Sequence, residues 1–200
     1  YLDSEINQWL DLGAIDISAR TLCLDTYATE STSGTSGEFT LQTNLIKIFR
    51  LIYSDGSNWK RLAFIDYRDY DTDYLWSSTT DTANPPDAFF IYQRKLVIVP
   101  TPSYAGTNNI KLYYWKYQTP VADSANKYLI PPEYQDMVID FAVYQAFRKS
   151  KLWNDANTVY LDYLKKTDRA LIELHQKTRE SYGVIKDISE SYTLNGMRVL

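Results

Sequence analysis

Leu96-Val97-Ile98-Val99 runs into Pro100-Thr101-Pro102, an apolar segment resumes from Ile110 to Tyr117, and Pro131-Pro132-Glu133-Tyr134 opens a second, longer apolar run. This reads as strand, proline-broken loop, strand, linker and helix. Proline fixes φ and donates no backbone hydrogen bond, so Pro100 and Pro102 end the first strand. Ala105-Gly106-Thr107-Asn108 supplies turn residues before the second. In that strand Ile110, Leu112 and Tyr114 alternate with Lys111, Tyr113 and Trp115, so both faces are expected to be at least partly covered. The proline pair suits the first turn of a helix, where N–H groups have no intrahelical partner, and Glu133 and Asp136 suit its positive end.

Working outward, residues 3–22 carry Ile6, Trp9, Leu10, Gly13, Ala14 and Ile17 at helical spacing, with Asp3 or Ser4 as cap. Asp25 to Glu38 is rich in Ser, Thr and Gly and reads as a loop. Phe39 to Ser54 reads as one strand, Asp55-Gly56-Ser57-Asn58 as a hairpin turn and Trp59 to Ile65 as the return strand. Asp66 to Trp76 is a short helix or an irregular crossing. Ala88 to Gln93 and Leu96 to Val99 are strands joined tightly at Arg94-Lys95.

After the prolines, Tyr134, Met137, Val138, Phe141, Ala142 and Gln145 form one helical face. Ile139, Val143, Ala146 and Phe147 form another, so this helix is expected to be buried on two sides. A last helix carries the stripe Val159, Tyr160, Tyr163, Leu164, Leu171 and Leu174, an Asp162–Lys166 pair on its wet side, and an end at Gly183.

The fold class is therefore α+β: a helical bundle of N- and C-terminal helices with an inserted antiparallel β-sandwich or small barrel, plus an extended C-terminal tail. The divisions are an N-terminal helix over 1–24, a β domain over 38–118, two C-terminal helices over 131–182 and a tail over 183–200.

Bulk properties narrow the function. The net charge of −4 gives no reason to expect nucleic-acid or membrane binding, and residues 1–45 hold seven acids against one base. Cys23 is the single cysteine, which excludes an intrachain disulfide, and it reads as a buried structural thiol. One cysteine and one histidine cannot make a His/Cys zinc cluster within the chain, and His175 reads as a surface or interface residue. No Gly-rich phosphate loop or nucleophile elbow is present. Asp69, Asp71 and Asp73 resemble the start of a calcium loop, but Tyr74 and Thr80 stand where an EF-hand needs Gly and Glu, so a solvated acidic crossing is expected. No apolar run reaches bilayer length, and no secretory signal pattern is visible. The chain begins on Tyr1 rather than Met, as a trimmed or partial form of a longer product would. Eighteen tyrosines fit either an interface or the rim of a β-rich core.

The order of motifs resembles the head-to-tail adaptor (connector) proteins of tailed bacteriophages. Ile6-Asn7 through Asp16-Ile17-Ser18-Ala19-Arg20-Thr21 is similar to their first helix. Phe39-Thr40-Leu41 leading into Leu45-Ile46-Lys47-Ile48 fits the same pattern. Leu96 to Pro102, Ile110 to Tyr114 and Leu129-Ile130-Pro131-Pro132-Glu133-Tyr134 follow in the same order. The likeness spans roughly residues 3–175; the tail beyond Gly183 matches nothing in the pattern. It implies a structural virion protein at the neck, forming a ring commonly of twelve copies. Its implied partners are the portal protein, tail or tail-tube proteins and copies of itself, with genomic DNA passing through without tight binding. It implies no catalytic residues, no cofactor and no membrane, with host cytoplasm as the place of assembly. The alternative is a carbohydrate- or receptor-binding β-sandwich of a phage tail or cell surface, in which Trp59, Trp76 or Trp115 would serve as a sugar platform.

The tail adds a candidate partner site. Ile185, Ile188, Tyr192, Leu194, Met197, Val199 and Leu200 are too many apolar groups for a simple solvated tail, in a segment too short for its own core. It is expected either to dock on a partner as a strand or groove-filler, or to fold back along its own helices.

Overall fold

The structure is a computed structural model that describes residues 2–68, 85–121 and 128–181. The described elements are α1 (Asp3–Thr21), β1 (Asp25–Ser33), β2 (Glu38–Thr40), β3 (Leu45–Ser54), β4 (Trp59–Arg61), β5 (Ala63–Phe64), β6 (Ala88–Tyr92), β7 (Lys95–Val99) and β8 (Ala105–Lys116). A 3₁₀ turn (Pro132–Tyr134), α2 (Gln135–Lys149) and α3 (Trp153–Ser181) follow. The order is that of an α+β chain whose strands lie between its first and last helices.

Among the described residues the strands make two four-stranded sheets, β1-β8-β3-β4 and β2-β7-β6-β5, and no closed barrel. The second sheet is mixed, because β5 runs parallel to β6, so the expectation of an all-antiparallel set fails there. The cause is that the chain twice changes sheets where one strand was expected. Phe39 to Ser54 is broken at 41–44, with β2 in one sheet and β3 in the other. Trp59 to Ile65 is broken at Leu62, which is 2% exposed and drops into the shared core between β4 and β5. Leu51, Ile110, Leu112 and Tyr114 of the first sheet and Phe89, Leu96 and Ile98 of the second bury in that one cluster.

Asp25 to Ser33 is a strand, not the expected loop, so the β region begins at Asp25 rather than 38. β1 pairs antiparallel along β8, from Asp25↔Trp115 to Ser33↔Ala105. Ala105 to Asn108 is likewise strand rather than turn. The pairing slips between Glu30 and Thr32, and Asn108 opposite takes φ +52°, a left-handed conformation that asparagine tolerates. Buried Asn109 pins the slip: its Oδ1 accepts the Thr32 N–H at 3.0 Å and its Nδ2 donates to Thr32 Oγ1 at 2.6 Å. The Asp55 turn forms as read, with Oδ1 accepting the Ser57 and Asn58 N–H groups at 2.9 and 2.8 Å and Gly56 at φ +93°. The β6–β7 turn falls one residue earlier than expected, on Gln93 and Arg94 at φ +45° and +61°.

The three helices share the other core. Ala14 and Ile17 of α1, Met137 and Val138 of α2, and Tyr163 and Ala170 of α3 bury together with Ile130 and Tyr134. Gly13 makes the α1–α2 crossing possible: a Cβ there would lie 3.0 Å from Phe141 Cβ. The buried stripe of α1 is Gly13, Ala14, Ile17, Ser18 and Thr21, whereas Ile6 near its start stays exposed. Its cap is Leu2, whose N–H donates to the Glu5 carboxylate, rather than Asp3 or Ser4. On α3, Lys166 bonds Asp140 of α2 rather than Asp162, which pairs with Lys165 instead.

Candidate interaction surface

Two cores need a joint, and the sequence supplies a polar one. Ser18, fully buried on α1, donates its hydroxyl to the Ile15 carbonyl at 2.8 Å and accepts the Gln118 N–H at 2.9 Å. Gln118 follows the end of β8; its Oε1 accepts the Leu129 N–H at 2.8 Å. Asp11 Oδ1 accepts both the Val121 N–H at 2.9 Å and the Tyr128 hydroxyl at 3.0 Å. Burial, reinforced by that carboxylate, pushes the Tyr128 hydroxyl up to about 12. Deeper in the helical core, Tyr163 donates to Asp16 Oδ2 at 2.6 Å, and the same oxygen takes Arg20 Nε at 2.7 Å. Burial also pushes Tyr163 well above the ordinary phenol range. These are structural acids, each already bonded inside the fold.

The outward surface is organised around the first sheet. Residues facing each other across neighbouring strands share a side of a sheet. With Leu112, Tyr114 and Leu51 inward, Lys111, Tyr113 and Trp115 of β8 face outward, as do their partners Tyr27, Lys47 and Arg50. The rings gather there. Phe49 lies 4.7 Å from Trp115 and 6.2 Å from Tyr113, and Tyr113 lies 5.8 Å from Tyr27, all centroid to centroid. Tyr27 is 62% exposed. The cations lie over the rings: Arg50 sits 5.8 Å from the Tyr113 centroid and Lys111 Nζ 4.4 Å from that of Trp59. Arg61, opposite Ile52, adds a further charge to this side. Trp59 and Trp115 therefore stand outward, Trp59 half exposed beneath Lys111 and Trp115 tilted against Phe49.

The second outward feature is on α2. Ile139 and Val143, expected to be buried on a second face of this helix, are 56% and 38% exposed, because α1 and α3 both pack against the other side. Leu152 and Trp153 stand exposed at the turn into α3. The second apolar stripe of α2 is thus left in solvent.

Cys23, expected to be buried, is half-buried against the helical core, and that burial raises its thiol. No group of three or more metal-ligating side chains occurs among the described residues. The expected tail contacts, Ile185, Ile188, Tyr192, Leu194, Met197, Val199 and Leu200, lie outside the described residues, as do Asp69, Asp71, Asp73, Trp76 and Gly183. The sequence reading missed the sheet face. Its signal is the alternation Lys111, Tyr113, Trp115, which by itself shows only that a second side of the strand is partly covered.

A family model described as SU10 adaptor protein matches residues 1–187, nearly the whole chain. The chain belongs to the SU10 adaptor protein family. The match takes in both cores, the joint between them and the outward sheet face, and it runs past the span 3–175 over which the motif order was legible. Membership makes this a bacteriophage structural protein, from a family of adaptors rather than enzymes, whose partners are other capsid or tail components. No curated protein matches the chain. Among the described residues, no helix is long and apolar enough to cross a membrane.

Proposed function

We propose that this chain is a ring-forming head-to-tail adaptor that joins the portal protein to the tail at the virion neck. The ring, of about twelve copies on the resemblance to connectors, assembles in the host cytoplasm. It leaves an opening through which the genome passes without being held. The family match over residues 1–187 carries this reading. The geometry supports it: the outward aromatic sheet face and the bare apolar side of α2 are surfaces that a ring subunit would cover. On this reading the helices form a bundle, with the two sheets from Asp25 to about residue 118 as a β-sandwich inserted between them. The acidic N-terminal part, where it borders the opening, repels the duplex and lets it slide.

The tail over 183–200 is proposed as a docking strap whose apolar residues bury on the portal or on the adjacent subunit. Sedimentation velocity and negative-stain imaging of the purified chain with and without its portal test the assembly. Rings, alone or on the portal, are the expected result, and a chain that stays monomeric with portal present refutes it. A chain ending at Gly183 is expected to keep its melting behaviour and lose attachment to portal or ring neighbour. Normal assembly, or outright unfolding, of that shorter chain removes the strap.

A further inference from the structure

The outward face of the sheet β1-β8-β3-β4 is a platform of rings interleaved with cations. Tyr113 and Trp115 of β8 and Phe49 of β3 come from its two central strands, Tyr27 from one edge strand and Trp59 from the other. Phe49 packs on Trp115 and Tyr113 at 4.7 and 6.2 Å, so the central rings are in place in the single chain. At the margins Tyr27 and Trp59 are 62% and 50% exposed, which leaves ring surface for a further planar group. Lys47, Arg50, Arg61 and Lys111 stand among these rings, against the single acid Asp25. The outward paired positions thus carry a local net charge of +3, four cations less one acid. The ladder Tyr27↔Tyr113↔Arg50 crosses three strands, and Arg61 lies on the fourth.

The geometry points to a binding site for single-stranded nucleic acid on this face. Two features of the ligand match two features of the sheet. Unpaired bases present flat π-faces that stack on exposed rings, and the phosphates between them are anions for the interleaved cations. A four-stranded sheet with aromatic side chains on its open face stacks two or three unpaired bases in this way. Neither rival anion uses both features. A duplex stacks its bases on one another and offers the sheet only phosphates, and an acidic peptide needs the cations but not the rings. The passing duplex genome is therefore still not held. A ring neighbour seated on the same face would displace the strand, so the site belongs to the unassembled chain. The inference goes beyond the adaptor reading and does not rest on it.

The test uses the full chain without portal, below the concentration at which rings form. The probes are labelled single strands of about 12 nucleotides and mixed sequence, one DNA and one RNA, and a duplex of the same length. Fluorescence anisotropy is expected to show a single strand bound more tightly than the duplex, with tryptophan fluorescence partly quenched as bases meet Trp59. Four phosphate contacts at about 0.7 each give a slope of about −3 in log affinity against log salt. Arg50→Gln with Arg61→Gln is expected to halve that slope. Tyr27→Ser, at an exposed ring, is expected to weaken binding about tenfold with the slope unchanged. Both variants are expected to keep the wild-type melting midpoint, and Lys165→Gln on α3, the control, to bind as wild type does. A preference for DNA or for RNA names which strand the site takes, and either supports it. No single-strand binding at about 50 mM salt overturns the inference. Equal binding of duplex and single strand overturns it too, by assigning the face to phosphates alone, and so does single-strand binding that neither variant weakens. Rings on the portal with no strand bound by the free chain overturn this inference alone. Strands bound by a chain that stays monomeric with portal present overturn the ring reading alone.

Discussion

Ser18→Ala tests whether the joint between the two cores contributes to stability. The hydroxyl is fully buried and serves twice, as donor to Ile15 and as acceptor for the Gln118 N–H. The Ile15 carbonyl sits in the helix and keeps the possibility of its backbone bond. The Gln118 N–H has no such fallback, because Gln118 is itself 3% exposed and its amide points at the missing oxygen. An unpaired buried donor costs about 1–3 kcal/mol. Alanine returns roughly 0.5 kcal/mol through its better helix propensity, which leaves a net loss of about 0.5–2.5 kcal/mol. For a chain of this length each kcal/mol moves the melting midpoint by about 2–4 °C, so the expected drop is of the order of 5 °C. Differential scanning calorimetry at neutral pH measures it, and hydrogen exchange locates it, with the Gln118 amide losing protection first. A midpoint within 1 °C of wild type, with the Gln118 amide still protected, would refute the claim that this hydroxyl ties the sheets to the helices.

Two further outcomes follow from the cores themselves. Gly13→Leu places carbons where Phe141 Cβ and the Val138 carbonyl stand within 3.2 Å of even a single added carbon. Overpacking by about 1–3 kcal/mol, less the roughly 1 kcal/mol that leaving glycine gains in a helix, leaves a net loss of up to about 2 kcal/mol, so the urea midpoint falls; a raised midpoint means that α1 and α2 do not approach as closely as described. Tyr128 holds its proton to about pH 12, against about 10 in the unfolded chain. Its contribution is complete below about pH 10 and is lost as the pH rises from there towards 12. Tyr128→Phe is therefore less sensitive to alkali than wild type when melting midpoints at pH 8 and pH 11 are compared, and equal sensitivity refutes a phenol raised by burial first and by Asp11 second.

Elements whose apolar residues face a core announced themselves in the sequence. The helix over 3–22, the strand Leu96–Val99 and the helix opened by the prolines all stand where their periodicity placed them, because burial on one side imposes a period. β1 was illegible for the converse reason. It is an edge strand, held by β8 on one side only, and its residues Asp25 to Ser33 include one small aliphatic, Ala28, so no hydrophobic alternation exists to be seen. What could have revealed it was propensity: Thr26, Tyr27, Thr29 and Thr32 favour strand, and no Gly or Pro occurs until Gly34. The sheet changes at 41–44 and at Leu62 were hidden because inward alternation continues across each switch into the same shared core.

The candidate surfaces were half legible for a related reason. The second apolar stripe of α2 was visible as a pattern, but a pattern states only that a face is apolar, not what covers it. In the single chain α1 and α3 cover one stripe and leave Ile139 and Val143 bare. The aromatic sheet face needed the pairing register before it could be seen at all. Tyr27, Phe49 and Tyr113 come from three strands, 22 and 64 residues apart in sequence, and only the ladder Tyr27↔Tyr113↔Arg50 brings them onto one side. Its charge was invisible in the totals, because four cations on one face of a net-negative chain average away in any sequence window. Only the sheet register, which sets Lys47 opposite Trp115, Arg50 opposite Tyr113, and Lys111 and Arg61 both opposite Ile52, gathers those cations on one side.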